Sequence, residues 1–298
     1  MRGALRASFA CAADPHELAL PAVSSISAGL RVVWDSFSYR LYMREANNLA
    51  VILSMMIAFR LPWDDFAYRG GLALLLNIFV YLINDYCDIE LDLASPDRRR
   101  SQVEFLAANR PAAMGAMVVL GALLLALSAG HLYLWKTWLL PIAVTSSSIV
   151  IIVYSAWLKH YPIWDVVLMV VAGATGTIIG VGEWQIGWRL VVILALFCGC
   201  IEVIQTIRDE PVDRSRGVRT TAVLLGPKRA AWIFRLMMFG AALHGIFVIG
   251  SYFSAALLVL VALPFTPQKA SRSWDMVRIL AGTVWLALMI QLYLGRLH

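Results

Sequence analysis

Residues 70–92 read GGLALLLNIFVYLINDYCDIELD, and this stretch decides how the rest of the chain is interpreted. An apolar run close to membrane-spanning length leads directly into a polar segment that carries Asn84, Asp88 and Asp92. Such a run is typical of a transmembrane helix, and carboxylates are rare at the end of one unless they have a role. The stretch therefore predicts a membrane helix that presents acidic side chains at the membrane surface.

Similar apolar runs recur along the chain, which is 60% hydrophobic and only 15% charged, with a mean hydropathy of +0.74. A soluble domain of this size carries about 25% charged residues. We predict an all-α fold, a polytopic membrane bundle of about nine transmembrane helices. The predicted spans are 46–61, 70–86, 111–130, 137–157, 164–182, 189–207, 230–249, 252–265 and 275–295.

The net charge of +6 is distributed unevenly between the segments that connect the spans. With the N-terminus in the cytoplasm, 18 of the 25 Lys and Arg residues fall on the cytoplasmic side and five on the other. This bias follows the positive-inside rule and favours that orientation, in the inner membrane of the cell. No basic stripe alternates with aromatic residues, so the sequence argues against nucleic-acid binding.

The chain divides into a tail and a membrane domain. Residues 1–43 carry no predicted span and lack the apolar region of a signal peptide, so we predict a partly disordered cytoplasmic tail. An interfacial segment is expected near 30–42. Residues 44–298 are predicted to form the transmembrane domain, whose long cytoplasmic loops, 87–110 and 208–229, are rich in Asp and Arg.

The first acidic cluster comprises Asn84, Asp88 and Asp92, which are spaced four residues apart. Residues with this spacing project from one face of a helix, so an amide oxygen and two carboxylates should form a stripe. Asp85 and Glu90 should point elsewhere, either supporting the stripe or facing solvent. Mg²⁺ prefers hard oxygen ligands and keeps substrate phosphates among them, so the stripe is a candidate magnesium site.

The second acidic cluster comprises Asp209 and Asp213, which repeat the spacing and are followed by Arg214. Pro211 lies between them and removes one helical hydrogen bond, which weakens the helical argument here. The alternative is an ordinary set of solvated loop charges. Two clusters with matching spacing in equivalent loops favour a site instead, because facing carboxylates repel unless cations such as Mg²⁺ lie between them.

The two clusters resemble the motifs of the UbiA superfamily of intramembrane prenyltransferases. That family has the motif NxxxDxxxD and a second motif, DxxxD, which is followed by a glycine and a Thr-containing stretch. A Tyr-Ser-x-x-Leu-Lys segment is matched at 154–159, and the resemblance covers about residues 44–295. The matching motif positions are Asn84, Asp88, Asp92, Asp209 and Asp213, with Gly217 and Thr220 after them.

The chain departs from the family pattern after Pro96-Asp97-Arg98, where Arg99 stands at a position commonly taken by proline. This departure argues against a standard ubiquinone or menaquinone pathway member. It also keeps open a UbiA-like terpene cyclase, in which the cation attacks the double bonds of its own substrate and needs no acceptor.

The resemblance implies transfer of a prenyl group from a polyprenyl diphosphate to an aromatic or lipid acceptor, with Mg²⁺ as cofactor. Mg²⁺ neutralises the charge that develops on the leaving diphosphate, and a dry apolar cavity keeps the allylic cation from water. The two motifs would supply the metal ligands. The further implied roles are diphosphate binding by Arg98, Lys159 and Arg214, and catalysis by Tyr154 and Lys159.

Rival interpretations remain for some of these residues. Without the family motif, Tyr154 and Lys159 would be an interfacial aromatic residue and a lysine that extends to the membrane surface. A transporter is disfavoured, because an ion path would need acidic residues in the middle of the spans. The predicted spans carry almost no carboxylate there, and Glu202 is the notable exception. Glu202 either lines the cavity near the acceptor or is a satisfied polar contact.

Overall fold

The structure is a computed structural model that describes residues 22–42, 47–93, 100–265 and 267–297. Within these ranges every regular element is a helix, and 3₁₀ turns lie at Leu158–His160, Tyr252–Leu257 and Pro267–Lys269. The α-helices are α1 (Ala22–Tyr42), α2 (Asn47–Ala58), α3 (Trp63–Cys87), α4 (Ile89–Leu93), α5 (Arg100–Ala108), α6 (Arg110–Trp135), α7 (Leu139–Ala156), α8 (Trp164–Ile178), α9 (Trp184–Ser215), α10 (Thr221–Leu225), α11 (Pro227–Phe247), α12 (Leu258–Val261) and α13 (Ala270–Tyr293).

Six of these helices are long and apolar enough to cross a membrane: α3, α6, α7, α9, α11 and α13. Shorter apolar helices lie at Asn47–Ala58, Trp164–Gly180 and Tyr252–Val261, inside three further predicted spans. At about 1.5 Å per residue they are shorter than the hydrocarbon core of about 30 Å. The predicted all-helical, multi-pass fold is confirmed, and the count of nine spans stays a prediction.

Proline and glycine set several helix boundaries. Pro111 lies in the first turn of α6, where the missing N–H is not needed by the helix. Gly226, with φ +80°, separates α10 from α11, and Pro227 then begins α11. These boundaries follow from local sequence, because proline is pre-organised for a first turn and glycine tolerates positive φ.

Helix α9 is the central helix of the bundle. Of its apolar window, 72% is buried, against 28–39% for the other five long helices. It packs between α8, α11 and α13, where its buried side chains include Phe197 and Ile204. A second hydrophobic core joins α3, α6 and α7, with Leu72 and Leu124 fully buried there. Because α9 also carries the second acidic cluster, the core holds that cluster in a fixed position.

Helices α8 and α9 approach each other closely over small residues. A Cβ atom at Gly173 would lie 2.6 Å from the Cβ of Cys198 and 3.2 Å from the backbone of Ala195. Helix association in membranes depends on close backbone packing of this kind. The small side chains of this contact thus set the spacing of the two helices.

Helix α1 lies within the predicted N-terminal tail and packs against α3 and α6. Its buried residues include Val32 and Tyr39, while Ile26, Leu30 and Trp34 are exposed along the opposite side. The division between a tail and a membrane domain at residue 43 stays a prediction. Residues 1–21 of that tail lie outside the described residues.

Candidate active site

The first acidic cluster lies where α3 passes into α4. The backbone leaves the helical conformation slightly at Asp88, with φ −94° and ψ 3°. Helical hydrogen bonds nevertheless continue through this point, from the N–H of Asp88 to the carbonyl of Asn84 at 3.0 Å and from Asp92 to Asp88 at 2.8 Å. The fourfold spacing therefore keeps its helical register, as the stripe requires.

Lys159 contacts the first cluster from the 3₁₀ turn between α7 and α8. Its Nζ donates to the Asp88 carboxylate and lies 3.4 Å from Oδ1 of Asn84. Burial alone would lower the pKa of Lys159, but the carboxylates of Asp88, Glu202 and Asp92 together raise the pKa above the ordinary lysine value. Lys159 is therefore a permanent cation beside two of the predicted metal ligands.

The second acidic cluster lies near the C-terminal end of α9. The helix continues through Pro211 to Ser215, so the helical spacing of Asp209 and Asp213 is kept despite the proline. Asp209 accepts two hydrogen bonds from Arg208, at 2.7 and 2.9 Å. The expected weakening of the stripe at Pro211 does not break the helix, because the loss of one hydrogen bond is tolerated within the surrounding packing.

Gly217 ends α9 directly after this cluster. It has φ +72°, and the N–H of Val218 donates to the carbonyl of Asp213 at 2.9 Å. This is the Schellman arrangement, in which a left-handed glycine lets the chain turn back and satisfy the last carbonyls of a helix. It brings Thr220 Oγ1 to 3.5 Å from the Asp213 carboxylate.

The two clusters lie at the same end of the bundle. Arg216, just after the second cluster, reaches the carbonyl of Leu91 in α4 at 3.4 Å. Lys159 interacts electrostatically with Asp92 as well as Asp88 in the first cluster, and with Asp213 in the second. The tertiary fold thus places one lysine within electrostatic range of both clusters.

Asp165 holds the loop after α9 in place, a role that the sequence reasoning missed. This fully buried carboxylate accepts hydrogen bonds from the backbone N–H of Thr221, at 2.7 Å, and from the Thr221 hydroxyl. The same hydroxyl accepts from the N–H of Ile163 at 2.6 Å. The Thr-containing stretch after the second motif was the signal, but its partner lies 56 residues away in the chain.

Tyr154 and Glu202 form a buried pair deeper in the bundle. The tyrosine hydroxyl donates to Glu202 Oε1 at 2.9 Å, and both side chains are less than 9% exposed. Glu202 lies seven residues before Asp209 on α9, which is about 10 Å along a helix. Of its two interpretations, the polar contact is present in the structure, because Tyr154 satisfies its carboxylate.

The two arginines predicted to bind the diphosphate are Arg98 and Arg214. Arg214 donates to Glu210 at 2.6 Å and to the carbonyl of Val223 at 3.3 Å, so it supports the loop after α9. Arg98 lies outside the described residues. The predicted roles of both arginines in diphosphate binding stay predictions.

The donor atoms present fit Mg²⁺, since the two clusters supply carboxylate and amide oxygens from α3, α4 and α9. Among the described residues, no group of three Asp, Glu, His or Cys side chains forms a ready-made metal site. Mg²⁺ usually keeps waters and substrate phosphates as ligands, so protein oxygens supply only part of its coordination.

Fold and site together define a multi-pass helical membrane protein with paired carboxylate clusters at one end of the bundle. The UbiA prenyltransferase family model matches residues 48–293, and this chain belongs to that family. The expected resemblance is thereby confirmed.

Known relatives agree with this assignment. Digeranylgeranylglyceryl phosphate synthase of Thermococcus kodakarensis is 33% identical over 155 residues, 51% of this chain and 53% of the relative. The chain thus spans about half the length of the curated relatives it matches.

Two solved structures share the fold. A structure of digeranylgeranylglyceryl phosphate synthase in membranes superimposes with a TM-score of 0.68 at 15% identity, over 89% of this chain and 99% of that one. A UbiA homologue from Archaeoglobus fulgidus bound to GPP and Mg²⁺ has a TM-score of 0.61 at 16% identity, with the same coverage. The similarity extends over nearly the whole bundle.

Proposed function

We propose that this chain is a Mg²⁺-dependent intramembrane prenyltransferase that ionises a polyprenyl diphosphate and transfers the prenyl group to an acceptor. The observation that carries the proposal is the position of Lys159, which contacts Asp88 and lies within electrostatic range of Asp213. A cation within electrostatic range of two carboxylate clusters suits a substrate that brings both phosphate charge and metal ions.

The proposed metal ligands are Asn84, Asp88, Asp92, Asp209 and Asp213. When bound, Mg²⁺ supplies neutralisation of the charge that develops on the leaving diphosphate. Lys159 has the charge and the position to hold a diphosphate oxygen beside the first cluster. Arg98 and Arg214 are proposed as further diphosphate contacts.

The protein interior would protect the allylic cation. The prenyl chain needs an apolar path, and the buried side chains of α7 and α9 are mainly aliphatic. Tyr154 is the proposed catalytic residue in this interior, since an aromatic ring stabilises a nearby cation. The exclusion of water prevents hydrolysis of the cation before it reaches the acceptor.

A lipid acceptor is favoured over an aromatic one. The matched relatives are named for a glyceryl phosphate that carries two geranylgeranyl groups, which suggests a prenylated glyceryl phosphate as the acceptor here. The excess of Lys and Arg in the loops that follow the even-numbered predicted spans supports a cytoplasmic position for both acidic clusters.

Purified protein in detergent or vesicles provides the test. We expect Mg²⁺-dependent release of diphosphate from geranylgeranyl diphosphate, and a loss of at least about 100-fold in Asp88→Asn and Asp209→Asn. Glu90→Gln is the matched control, because its side chain is 78% exposed and lies between two proposed ligands. Near-parent turnover in either aspartate variant would refute the metal-ligand assignment.

Product analysis separates transfer from cyclisation. With a panel of lipid and aromatic acceptors, mass spectrometry should find a prenylated acceptor. Terpene hydrocarbons or alcohols formed from the diphosphate and Mg²⁺ alone would instead establish the cyclase alternative.

A further inference from the structure

Asp85, adjacent to the first ligand of the site, is held by two side chains of helix α1. Its Oδ1 accepts a hydrogen bond from Arg40 at 2.6 Å, and its Oδ2 accepts one from the Ser36 hydroxyl at 2.6 Å. All three residues are less than 10% exposed. Both carboxylate oxygens are thus fixed by residues 45 and 49 positions earlier in the chain.

The surroundings reinforce this contact. The Arg40 guanidinium lies 4.8 Å from the centre of the Tyr81 ring, one turn before Asp85 on α3. Towards the other end of α1, Arg31 lies 4.0 Å above the Phe105 ring on α5. Helix α1 therefore bridges the two elements that flank the first cluster on either side.

A small cavity lies between helix α1 and Asp92, the last residue of the stripe. Ser36 and Tyr39 of α1 line it together with Asp85, Asp92 and Phe105. Helix α1 consequently borders the first cluster near both of its ends, at the residue after Asn84 and at Asp92 itself.

We propose that Arg40 and Ser36 are positioning residues, which fix Asp85 and thereby set the orientation of Asn84 and Asp88 toward the metal. The inference rests on the proposed function. Side chains that orient metal ligands typically change metal affinity or activity by about 10–100-fold when they are removed. Helix α1 then contributes to metal binding by positioning the ligands.

The helical geometry of α3 explains how a contact at Asp85 can orient the neighbouring ligands. Asn84, Asp85 and Asp88 share one helical segment, so a rotation of α3 about its axis would move all three together. The paired hydrogen bonds from α1 oppose such a rotation on one side of α3, and Lys159 does so on another. The ligands are therefore held from two directions before the metal arrives.

The test uses the double variant Arg40→Met/Asp85→Asn, which removes both buried charges so that neither is left uncompensated. The measured quantity is the Mg²⁺ concentration that gives half-maximal diphosphate release from geranylgeranyl diphosphate. We expect it to rise about tenfold, with turnover at saturating Mg²⁺ largely retained. A purely structural role would lower the yield of folded protein and leave the Mg²⁺ dependence of the folded fraction unchanged.

Ser36→Ala is the second variant, which keeps both charges and removes only one hydrogen bond. It should raise the half-maximal Mg²⁺ concentration about threefold to tenfold, and it decides the question if the double variant does not fold. The matched control is Arg110→Met/Glu90→Gln, which removes a more exposed ion pair between α4 and α6, with side chains 37% and 78% exposed. The control should keep the parent Mg²⁺ dependence.

The outcomes separate the two proposals. A parent protein without Mg²⁺-dependent diphosphate release refutes the proposed function. A parent protein that is active, with an unchanged Mg²⁺ requirement in folded variants of α1 and Asp85, overturns the positioning role alone. An equal change in the control pair also overturns it, because the effect would then follow from the loss of any ion pair near the first cluster.

Discussion

Replacing Lys159 with methionine removes the charge beside the first cluster while it keeps most of the side-chain volume. The Lys159 side chain is 25% exposed and its partner Asp88 is 9% exposed, so the pair is largely withdrawn from solvent. Removing one partner of a fully buried pair costs about 3–5 kcal/mol. Because a quarter of the lysine is solvated, we expect about 2–3 kcal/mol of destabilisation.

The effect on catalysis should be larger than the effect on stability. A preorganised cation directed at developing charge contributes about 100–1,000-fold to turnover. We therefore expect kcat/KM of Lys159→Met for geranylgeranyl diphosphate to fall by about that factor. Lys159→Arg, which keeps the charge, should retain more activity than the methionine variant.

A magnesium titration distinguishes the two roles open to Lys159. If the lysine only neutralises Asp88, added Mg²⁺ should replace it and restore the rate. If it also holds the diphosphate, the defect should persist at saturating Mg²⁺, which is the result we expect. Lys136→Met is the control, since Lys136 stacks on Tyr133 at the end of α6 and should leave turnover unchanged.

The pH dependence provides a further check on this reasoning. The pKa of Lys159 is raised by Asp88, so its charge is fully present below the ordinary lysine pKa of about 10.4 and is lost only above it. The ratio of parent to Lys159→Met activity should therefore stay constant through the neutral range. Activity of Lys159→Met within fivefold of the parent (roughly 1 kcal/mol) would refute the whole argument.

Two further predictions concern the bundle and the loop after α9. Gly173→Ala should destabilise the protein by about 1–3 kcal/mol, because the added methyl group would overpack against Cys198. The control is Gly115→Ala, whose added methyl group meets nothing within 4 Å and should be neutral or stabilising. Equal melting temperatures of the two variants would contradict this. Thr221→Val removes the hydroxyl that binds the buried Asp165, and it should lower stability by about 1–3 kcal/mol. Diphosphate release should fall measurably as well. An unchanged melting temperature and turnover would show that the loop is held in another way.

Local sequence was a good guide wherever the determining interactions are local. The spacing of Asn84, Asp88 and Asp92 needed only the helical repeat, and the hydrogen bonds through Asp88 preserve that repeat. The Arg214–Glu210 pair is also local, because residues four apart on a helix are neighbours. The contact of Arg214 with a diphosphate stays a prediction.

Local rules were insufficient at Pro211 and Asp85. A proline predicts a kink or a helix start, yet α9 continues through Pro211. One missing hydrogen bond is small beside the packing of α9, which is the most buried of the six long helices described. Asp85 was expected to point away from the metal ligands, either supporting the stripe or facing solvent, and the sequence did not indicate which. The tertiary structure shows that Ser36 and Arg40 of α1 bind Asp85, which no local pattern predicts.

The sequence alone determined the membrane character, the helical class and the two acidic clusters, because hydropathy and helical periodicity are properties of neighbouring residues. Only the tertiary structure decided that Lys159 contacts Asp88 within electrostatic range of Asp213, and that Tyr154 satisfies Glu202. It also decided that α1 holds Asp85. Each of these contacts joins residues 45 or more positions apart, and their meeting depends on how whole helices pack rather than on any local pattern.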